Sequence, residues 1–475
     1  MNLWNAIKHF IFIFFISASA YAQQAKPPNI VVIFIDDMGW GDLSCYGNND
    51  AKTPHIDALA SQGICFDQFY VNSPICSPSR VALTTGNYPQ RHRITSFLNN
   101  KKSNKKRGMS DWLDPNVSTI ASELKKLGYA TGHFGKWHMG GQRDVTEAPE
   151  ITTYGFDKSL TNFEGLGPKL LPLTQHPDSQ NPDKIIDGKL WESAEILGGP
   201  ITWMQRSKIT GGFTNAAIDF IKTSEKSETP FFVNIWPDDI HRPWFSSIKN
   251  WNKRANRYNT VLEEMDLQFK PLFDYIQNSS YLKGNTIILI ASDNGCPAEK
   301  ENGLGGSTGG LKGGKAMLYE GGVRSPLIVW APTLIDETKQ GTRNTKTVFS
   351  AIDIKPSLLA LANAFAGKKW QQNSIDGQDF SKVLLGKSNS KNCKPIYFSR
   401  PPDRKSYQGH SNLPDLAIRD KAWKFYCDYD GTNPQLYNLK KDVGENNNVA
   451  KKHPSKVKTY TEQLQKWYQK ISPVN

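Results

Sequence analysis

The stretch Asn29-Ile30-Val31-Val32-Ile33-Phe34-Ile35-Asp36-Asp37 decides the fold. From Ile30 to Ile35 it is apolar and mostly β-branched, without the polar alternation of a half-exposed strand. The strand it predicts is therefore buried on both faces, as in a sheet covered by helices. It stops abruptly at two acids. Similar runs at 231–236, 286–291 and 327–330 predict further strands. Between them, Thr53-Pro54 opens a helix reaching 63. Ser118 is read as the cap of a helix over 119–127, with Ile120, Leu124 and Leu127 on one face and Gly128 as its stop. More helices are expected around 214–223, 261–276 and 356–362. This alternation predicts an α/β fold, a large domain whose mostly parallel, mixed central sheet is flanked by helices. Short segments at 395–399, 416–419, 423–427 and 435–439 follow, separated by turn residues such as Asp430-Gly431. They predict a smaller C-terminal α+β subdomain with an antiparallel sheet, ending in an amphipathic helix over 455–471. The expected division is a large domain over 23–370 and the subdomain over 371–475.

The first 22 residues are read separately. Lys8 precedes the apolar run 10–16, and Ala20-Tyr21-Ala22 places small residues at the cleavage positions. That is the pattern of a secretory signal peptide cleaved after Ala22, too short to span a bilayer. The expected location is periplasmic or secreted, with no stable membrane insertion. Lys and Arg number 58 against 45 Asp and Glu, a formal net charge of +13 that suits a polyanionic partner. The densest cluster is Lys101, Lys102, Lys105, Lys106 and Arg107, read as a solvated loop able to attract an acidic polysaccharide over about 8–10 Å. Six cysteines, at 45, 65, 76, 296, 393 and 427, are too few and scattered for a disulfide scaffold or zinc cluster. In an exported protein, Cys393 with Cys427 is the expected disulfide pair.

Asp36-Asp37 ends one apolar run and Asp293-Asn294 follows another. Ligands gather beyond the carboxyl ends of strands in open α/β sheets, and four oxygen-bearing side chains suit a hard cation such as calcium. Cys76-Ser77-Pro78-Ser79-Arg80, continued by Leu83, Thr85 and Gly86, places a cysteine where a helical run begins, a plausible nucleophile position. This string resembles C-x-P-S-R-x-x-L-x-T-G of the type I, formylglycine-dependent sulfatases of the alkaline phosphatase superfamily. Both acid pairs are similar to that family's metal ligands in "FIDDMGWGDLSCYG" and "ASDNG". Gly135-Lys136-Trp137-His138-Met139-Gly140 resembles its G-K-W-H-x-G. Asp239-Ile240-His241-Arg242-Pro243 resembles its H-x-P element, and residues 312–324 its K-G-x-x-Y-E-G-G-x-R segment. By alignment Lys315 is the sulfate-binding lysine, with Lys312 as competitor, and Met317 stands where the family usually has a small polar residue. The likeness runs from Pro28 to about Ala450, ending in "QLYNLKKDVGENNNVA", and is thin over 141–230.

The resemblance implies a carbohydrate sulfatase. Its cofactors would be one calcium ion, held by Asp36, Asp37, Asp293, Asn294 and residue 76, and a formylglycine made from Cys76 by a maturation enzyme. The hydrated aldehyde attacks sulfur, with Arg80 and Lys136 orienting it. Lys315 and His241 face the sulfate and the bridging oxygen, and His138 takes the proton that expels sulfate. Candidate sugar contacts are His92, Arg93, Arg143, Trp203, Arg242, Trp244, Arg400 and His410. The expected partner is a sulfated carbohydrate such as an oligosaccharide of ulvan, carrageenan, fucoidan or a glycosaminoglycan, and no nucleic acid. Two alternatives stand beside this reading. One is a phosphatase or phosphonate hydrolase of the same superfamily, and the other a catalytically silent glycan-binding protein.

Overall fold

Strand β1 (Asn29–Ile35) is buried along its whole length. Its side chains divide as a pleated strand requires. Ile30, Val32 and Phe34 enter one core cluster, while Val31, Ile33 and Ile35 enter another on the opposite face of the sheet. The first face is covered by helices Cys76–Thr85, Ile120–Lys126 and Ile354–Phe365. The second is covered by Pro54–Ala60, Ile209–Lys226 and Arg257–Asn278. Helices on both faces of the sheet bear out the α/β reading, and the expected helices all form.

The computed structural model describes residues 26–297, 305–365, 367, 375–389 and 393–471. The expected signal peptide over 1–22, and the boundary between 370 and 371, lie outside the described residues. After β1 come β2 (Ile64–Tyr70), β3 (Ala130–Gly135), β4 (Lys158–Thr161), β5 (Lys169–Pro177), β6 (Ile185–Lys189) and β7 (Ile201–Gln205). They are followed by β8 (Phe231–Trp236), β9 (Thr286–Ser292), β10 (Arg324–Trp330), β11 (Thr342–Asn344) and β12 (Phe349–Ser350). The large sheet has twelve strands in the order β11-β2-β10-β9-β1-β8-β3-β4-β5-β6, with β12 joined to β2 and β7 to β5. Strands β9, β1, β8, β3 and β4 are mutually parallel, and their register brings Ser292, Ile35, Trp236, Gly135 and Thr161 to one end of the sheet. Whatever follows those five residues shares one edge.

A separate four-stranded antiparallel sheet is built from β13 (Ile396–Ser399), β14 (Leu416–Asp420), β15 (Trp423–Cys427) and β16 (Gln435–Asn438). Helix Pro454–Ile471 covers one face through Tyr460, Leu464, Trp467 and Ile471. The other face packs Phe398, Ala417, Tyr426 and Tyr437 against Tyr70, Met317, Leu318 and Val323 of the large domain. Met317 is fully buried there, which accounts for an apolar residue at a position the sequence pattern leaves polar. Among the described residues no helix is long and apolar enough to cross a membrane.

Two expectations are corrected. Thr119, not Ser118, caps the helix Ile120–Lys126. Its side chain accepts from the Ser122 N–H at 2.9 Å and Ser122 returns the bond, while Ser118 Oγ donates to Glu123. The Cys393–Cys427 pair is not formed. Cys427 keeps a free thiol inside the helix-covered face of the small sheet, whereas Cys393 packs against the core of the large domain.

The two sheets meet around a buried ion pair, Lys424 Nζ to Glu320 Oε1 at 2.8 Å, with both side chains fully shielded. Tyr70 also donates to Glu320, and Arg324 lies 3.4 Å from it. Burial works against ionisation of Glu320, but Lys424, Arg324 and Arg419 outweigh it and hold the carboxyl down at about 2. Removing one partner of such a pair strands the other charge. Lys424→Ala is expected to lower unfolding free energy by about 3–5 kcal/mol in urea titrations. A loss below about 1 kcal/mol would mean that Arg324 and Tyr70 suffice to neutralise Glu320.

Candidate active site

Asp36 and Asp37 follow β1, and Asp293 and Asn294 follow β9, the neighbouring parallel strand in the sheet. Ligand oxygens of Asp36, Asp37 and Asp293 all lie within 4.8 Å of one another, and all three residues are buried. The chain turns here through Asp37, whose φ of 62° is left-handed. Its N–H donates to Asp293 at 3.1 Å, and Asn294 Nδ2 donates to its carboxylate at 2.7 Å.

Three cations close around these acids. Arg80 Nη2 donates to Asp293 at 2.6 Å and Nη1 to the Lys136 carbonyl at 3.0 Å. Lys136 Nζ donates to Asp36 at 2.7 Å, and Lys315 Nζ to Asp37 at 2.7 Å. Burial opposes ionisation of Asp36, but Lys136, His241, Arg80 and Lys315 prevail and keep its carboxyl well below the usual range. Asp293 goes the other way, driven well up by burial and by the charge on Asp36. Two acceptor atoms remain buried without a hydrogen bond, Asp36 Oδ1 and Asn294 Oδ1. Oxygen ligands in surplus, two of them orphaned, fit a hard divalent cation held by Asp36, Asp37, Asp293 and Asn294.

Cys76 is the first residue of the helix that carries Arg80, and it is buried. Burial raises its thiol above the ordinary range, against the pull of Lys136 and Lys315. The loop bearing Lys315 is tied to the approach to this helix by the Ala316 N–H, which donates to the Pro74 carbonyl at 2.7 Å. Two glycines make that loop possible. A Cβ on Gly295 would collide with the Gly321 carbonyl, and one on Gly322 with the Met317 carbonyl. Lys312 lies elsewhere, over the rings of Tyr319 and Tyr437. His241 is partly buried, with Nε2 3.9 Å from Asp37, and burial with Lys315 and Lys136 holds its pKa well below the ordinary imidazole value.

His138 has a left-handed φ of 52° and is one shell removed from the acids. Its Nε2 lies 3.0 Å from the Leu98 carbonyl and its Nδ1 3.0 Å from Glu164. Burial lowers its pKa to about 4. Glu164 also sits 3.1 Å from Lys136 Nζ, and its backbone carbonyl accepts from the His138 N–H at 2.9 Å. Sequence reasoning missed Glu164, which falls where the family pattern is thin. It lies just beyond the end of β4, as Asp36 and Asp293 lie beyond β1 and β9, but no apolar run marks that strand in the sequence. The register pairs Gly135 with Thr161, so Lys136, His138 and Glu164 emerge side by side. Behind it, Asn162 accepts from the Glu164 N–H and donates to Asp238, which Arg206 clamps at 2.9 Å.

The eight candidate sugar contacts do not converge. Arg242 stacks on Trp244 at 4.8 Å beside His241. Arg93 and Arg400 line a separate cleft, and Arg400 is committed to Asp415 at 2.6 Å. Trp203 lies on β7 under Lys189, and Arg143 is exposed. His410 pairs with Tyr407 in a β-bridge. The charges nearest His92 belong to Asp376, Arg91, Lys355 and Asp114, outside the cluster.

Fold and site together define an α/β protein with clustered carboxylates and cations at the carboxyl edge of its sheet. The chain belongs to the sulfatase family, whose model matches residues 28–364, while a model described as N-sulphoglucosamine sulphohydrolase, C-terminal, matches 313–472. It is 32% identical to an N-acetylgalactosamine-6-O-sulfatase of Bacteroides thetaiotaomicron over 93% of each chain. To arylsulfatase A of Homo sapiens it is 29% identical, covering 91% of this chain and 85% of that one. A solved structure of Ps i-CgsB in complex with k-i-k-neocarrahexaose superposes with a TM-score of 0.72 at 26% identity, covering 93% of both chains. The protein is therefore a sulfuric ester hydrolase.

A carboxylate touching both Lys136 and His138 is placed to orient them. Glu164→Gln is expected to reduce kcat by about tenfold to a hundredfold with KM little changed, in assays of sulfate release. An unaltered kcat would reduce Glu164 to a packing role.

Proposed function

We propose that this protein removes sulfate esters from carbohydrates, using formylglycine at position 76 and one calcium ion. The observation that carries the proposal is the placement of Cys76. It begins a helix beside a buried nest of oxygen ligands, with a thiol whose raised pKa makes it a poor thiolate nucleophile. A residue so placed is better suited as precursor of another nucleophile. Two proteins of similar sequence or structure support a carbohydrate substrate, the N-acetylgalactosamine-6-O-sulfatase and the carrageenan-oligosaccharide complex. The substrates we propose are sulfated oligosaccharides of the glycosaminoglycan or carrageenan type.

Calcium and the hydrated aldehyde would together supply a polarised sulfate ester and a hydroxyl nucleophile whose carbon bears a second hydroxyl. Arg80 fixes the helix of residue 76 to Asp293 and to the Lys136 backbone, setting the direction of attack. Lys136 and Lys315 present ammonium groups, preorganised in a site shielded from water, to the anionic oxygens of the ester. Lys315 and His241 flank the bridging oxygen, where the Lys315 ammonium supplies the proton that the departing sugar alkoxide requires and the neutral His241 imidazole donates a hydrogen bond. His138, whose Nε2–H is held by the Leu98 carbonyl, accepts at Nδ1 the proton whose removal releases sulfate, and Glu164 beside Nδ1 stabilises the imidazolium. Arg242 and Trp244, next to His241, are the proposed sugar contacts nearest this chemistry. We also propose export through the leader cleaved after Ala22, maturation by a formylglycine-generating enzyme, and a division into catalytic (23–370) and C-terminal (371–475) parts.

Peptide mass spectrometry of the mature protein tests the centre of this reading. Residue 76 is expected as the aldehyde or its hydrate, and Cys76→Ala is expected to lose sulfate release by at least about a thousandfold. An intact thiol from a host that matures a control sulfatase would overturn the nucleophile. Faster turnover of a phosphate ester than of its sulfate counterpart would overturn the substrate class. Calcium chelation is expected to abolish sulfate release from carbohydrate, and calcium to restore it.

A further inference from the structure

Away from the acids, a cleft of about 1260 Å³ opens between the segment 90–108 and the C-terminal sheet. Its volume exceeds the roughly 300–1,000 Å³ of a site for one small ligand. Arg93, Lys105, Lys106, Arg107 and Arg400 line it, opposed by one carboxylate, Asp403. That carboxylate is already neutralised. Arg404 donates to it at 2.9 Å, Ser96 at 2.8 Å, and Arg107 lies 3.4 Å away. Arg400 is likewise paired, with Asp415. No carboxylate lies within ion-pair distance of Arg93, Lys105 or Lys106 among the described residues, and all three are exposed.

The lining is suited to more than a free anion. Arg107 and Arg404 both stack on Phe97, at 4.7 and 5.1 Å. Tyr429 and Tyr468 add a second aromatic pair with ring centroids 4.9 Å apart. Gln90 is 3% exposed, and its amide donates to Ser399 at 2.8 Å. The Gln90 carbonyl oxygen is left buried without a hydrogen-bond partner in this lining. Cations, aromatic faces and an orphaned acceptor together match an anionic sugar chain. The cleft also adjoins the reaction centre. Phe97 and Asn99 line it, while Leu98 between them accepts from the His138 ring and takes the Ser77 hydroxyl as acceptor for its own N–H.

We propose that this cleft binds the sugars flanking the residue being desulfated, so that the protein recognises a segment of acidic oligosaccharide rather than one sugar. The proposal rests on the carbohydrate sulfatase reading, and binding measured apart from turnover keeps the two distinguishable. Calorimetric titration with chondroitin 6-sulfate disaccharide and hexasaccharide is expected to show the longer ligand binding at least about tenfold tighter. The double variant Lys105→Glu/Lys106→Glu, checked for an unaltered melting temperature, is expected to lose most of that advantage. The same reversal at the exposed pair Lys440→Glu/Lys441→Glu is expected to keep it. No length advantage, or equal losses in both double variants, overturns the cleft. Equal affinity for a single-stranded oligothymidylate overturns its assignment to a glycan. Sulfate release from the disaccharide without a length advantage defeats the cleft alone, whereas a cleft-dependent advantage without sulfate release supports the cleft and defeats the enzymatic reading.

Discussion

Three carboxylates buried within 4.8 Å of one another are the constraint around which this molecule is organised. Acids shielded from water are costly unless countercharges stand close by, because their mutual repulsion is barely screened. The countercharges come from three distant places in the chain: Arg80 from a helix, Lys136 from the end of β3, and Lys315 from a loop. A fold satisfies that requirement only if strand ends far apart in sequence meet at one edge. The parallel register of β9, β1, β8, β3 and β4 does so. Even with these three cations in place, Asp36 Oδ1 and Asn294 Oδ1 accept no hydrogen bond, so the cluster keeps oxygen ligands to spare.

The loop that carries Lys315 has little secondary structure of its own, and its position depends on what packs around it. The two glycines that face each other across the Asn294 and Glu320 turns allow a backbone contact that no larger residue permits. From outside, the small sheet presses Tyr426, Tyr437 and Phe398 onto Met317, Leu318 and Val323. Lys424 meanwhile fixes Glu320 from below. The C-terminal sheet is thus part of what aims Lys315, although it supplies none of the clustered carboxylates.

Legibility in the sequence followed how local each signal is. Strands β1, β8 and β9 and the last four residues of β10 are short, mostly apolar runs rich in β-branched and aromatic residues, and that composition identifies them. The acids stand out because they interrupt those runs. Strands β4 to β7 carry mixed or polar sequences such as Lys158–Thr161 and Ile185–Lys189, partly exposed at the edge of the sheet, so no periodicity marks them. The cap at 118 or 119 is a contest between adjacent hydroxyls that only backbone geometry decides. The cysteine pair fails because chain proximity says nothing of which core each thiol faces. Glu164 lay beyond sequence reasoning because its role is defined by register, through Gly135 opposite Thr161, rather than by a pattern of its own.

One short segment joins the two sides of the proposed specificity. Residues 97–99 alternate as an extended chain does, with Phe97 and Asn99 toward the basic cleft and Leu98 toward the interior. The Leu98 carbonyl holds the His138 imidazole, and the Leu98 N–H is held by Ser77, the neighbour of Cys76. Gln142 braces the same segment from the other side through the Asn99 carbonyl at 3.1 Å. Displacement of Phe97 or Asn99 by a ligand would pull on backbone groups that also position the imidazole and the first turn of the helix. Close packing gives such a segment few alternative arrangements, so its rigidity serves both tasks. Only Leu98 separates the basic cleft from the His138 imidazole, so the two proposed roles share one short stretch of backbone.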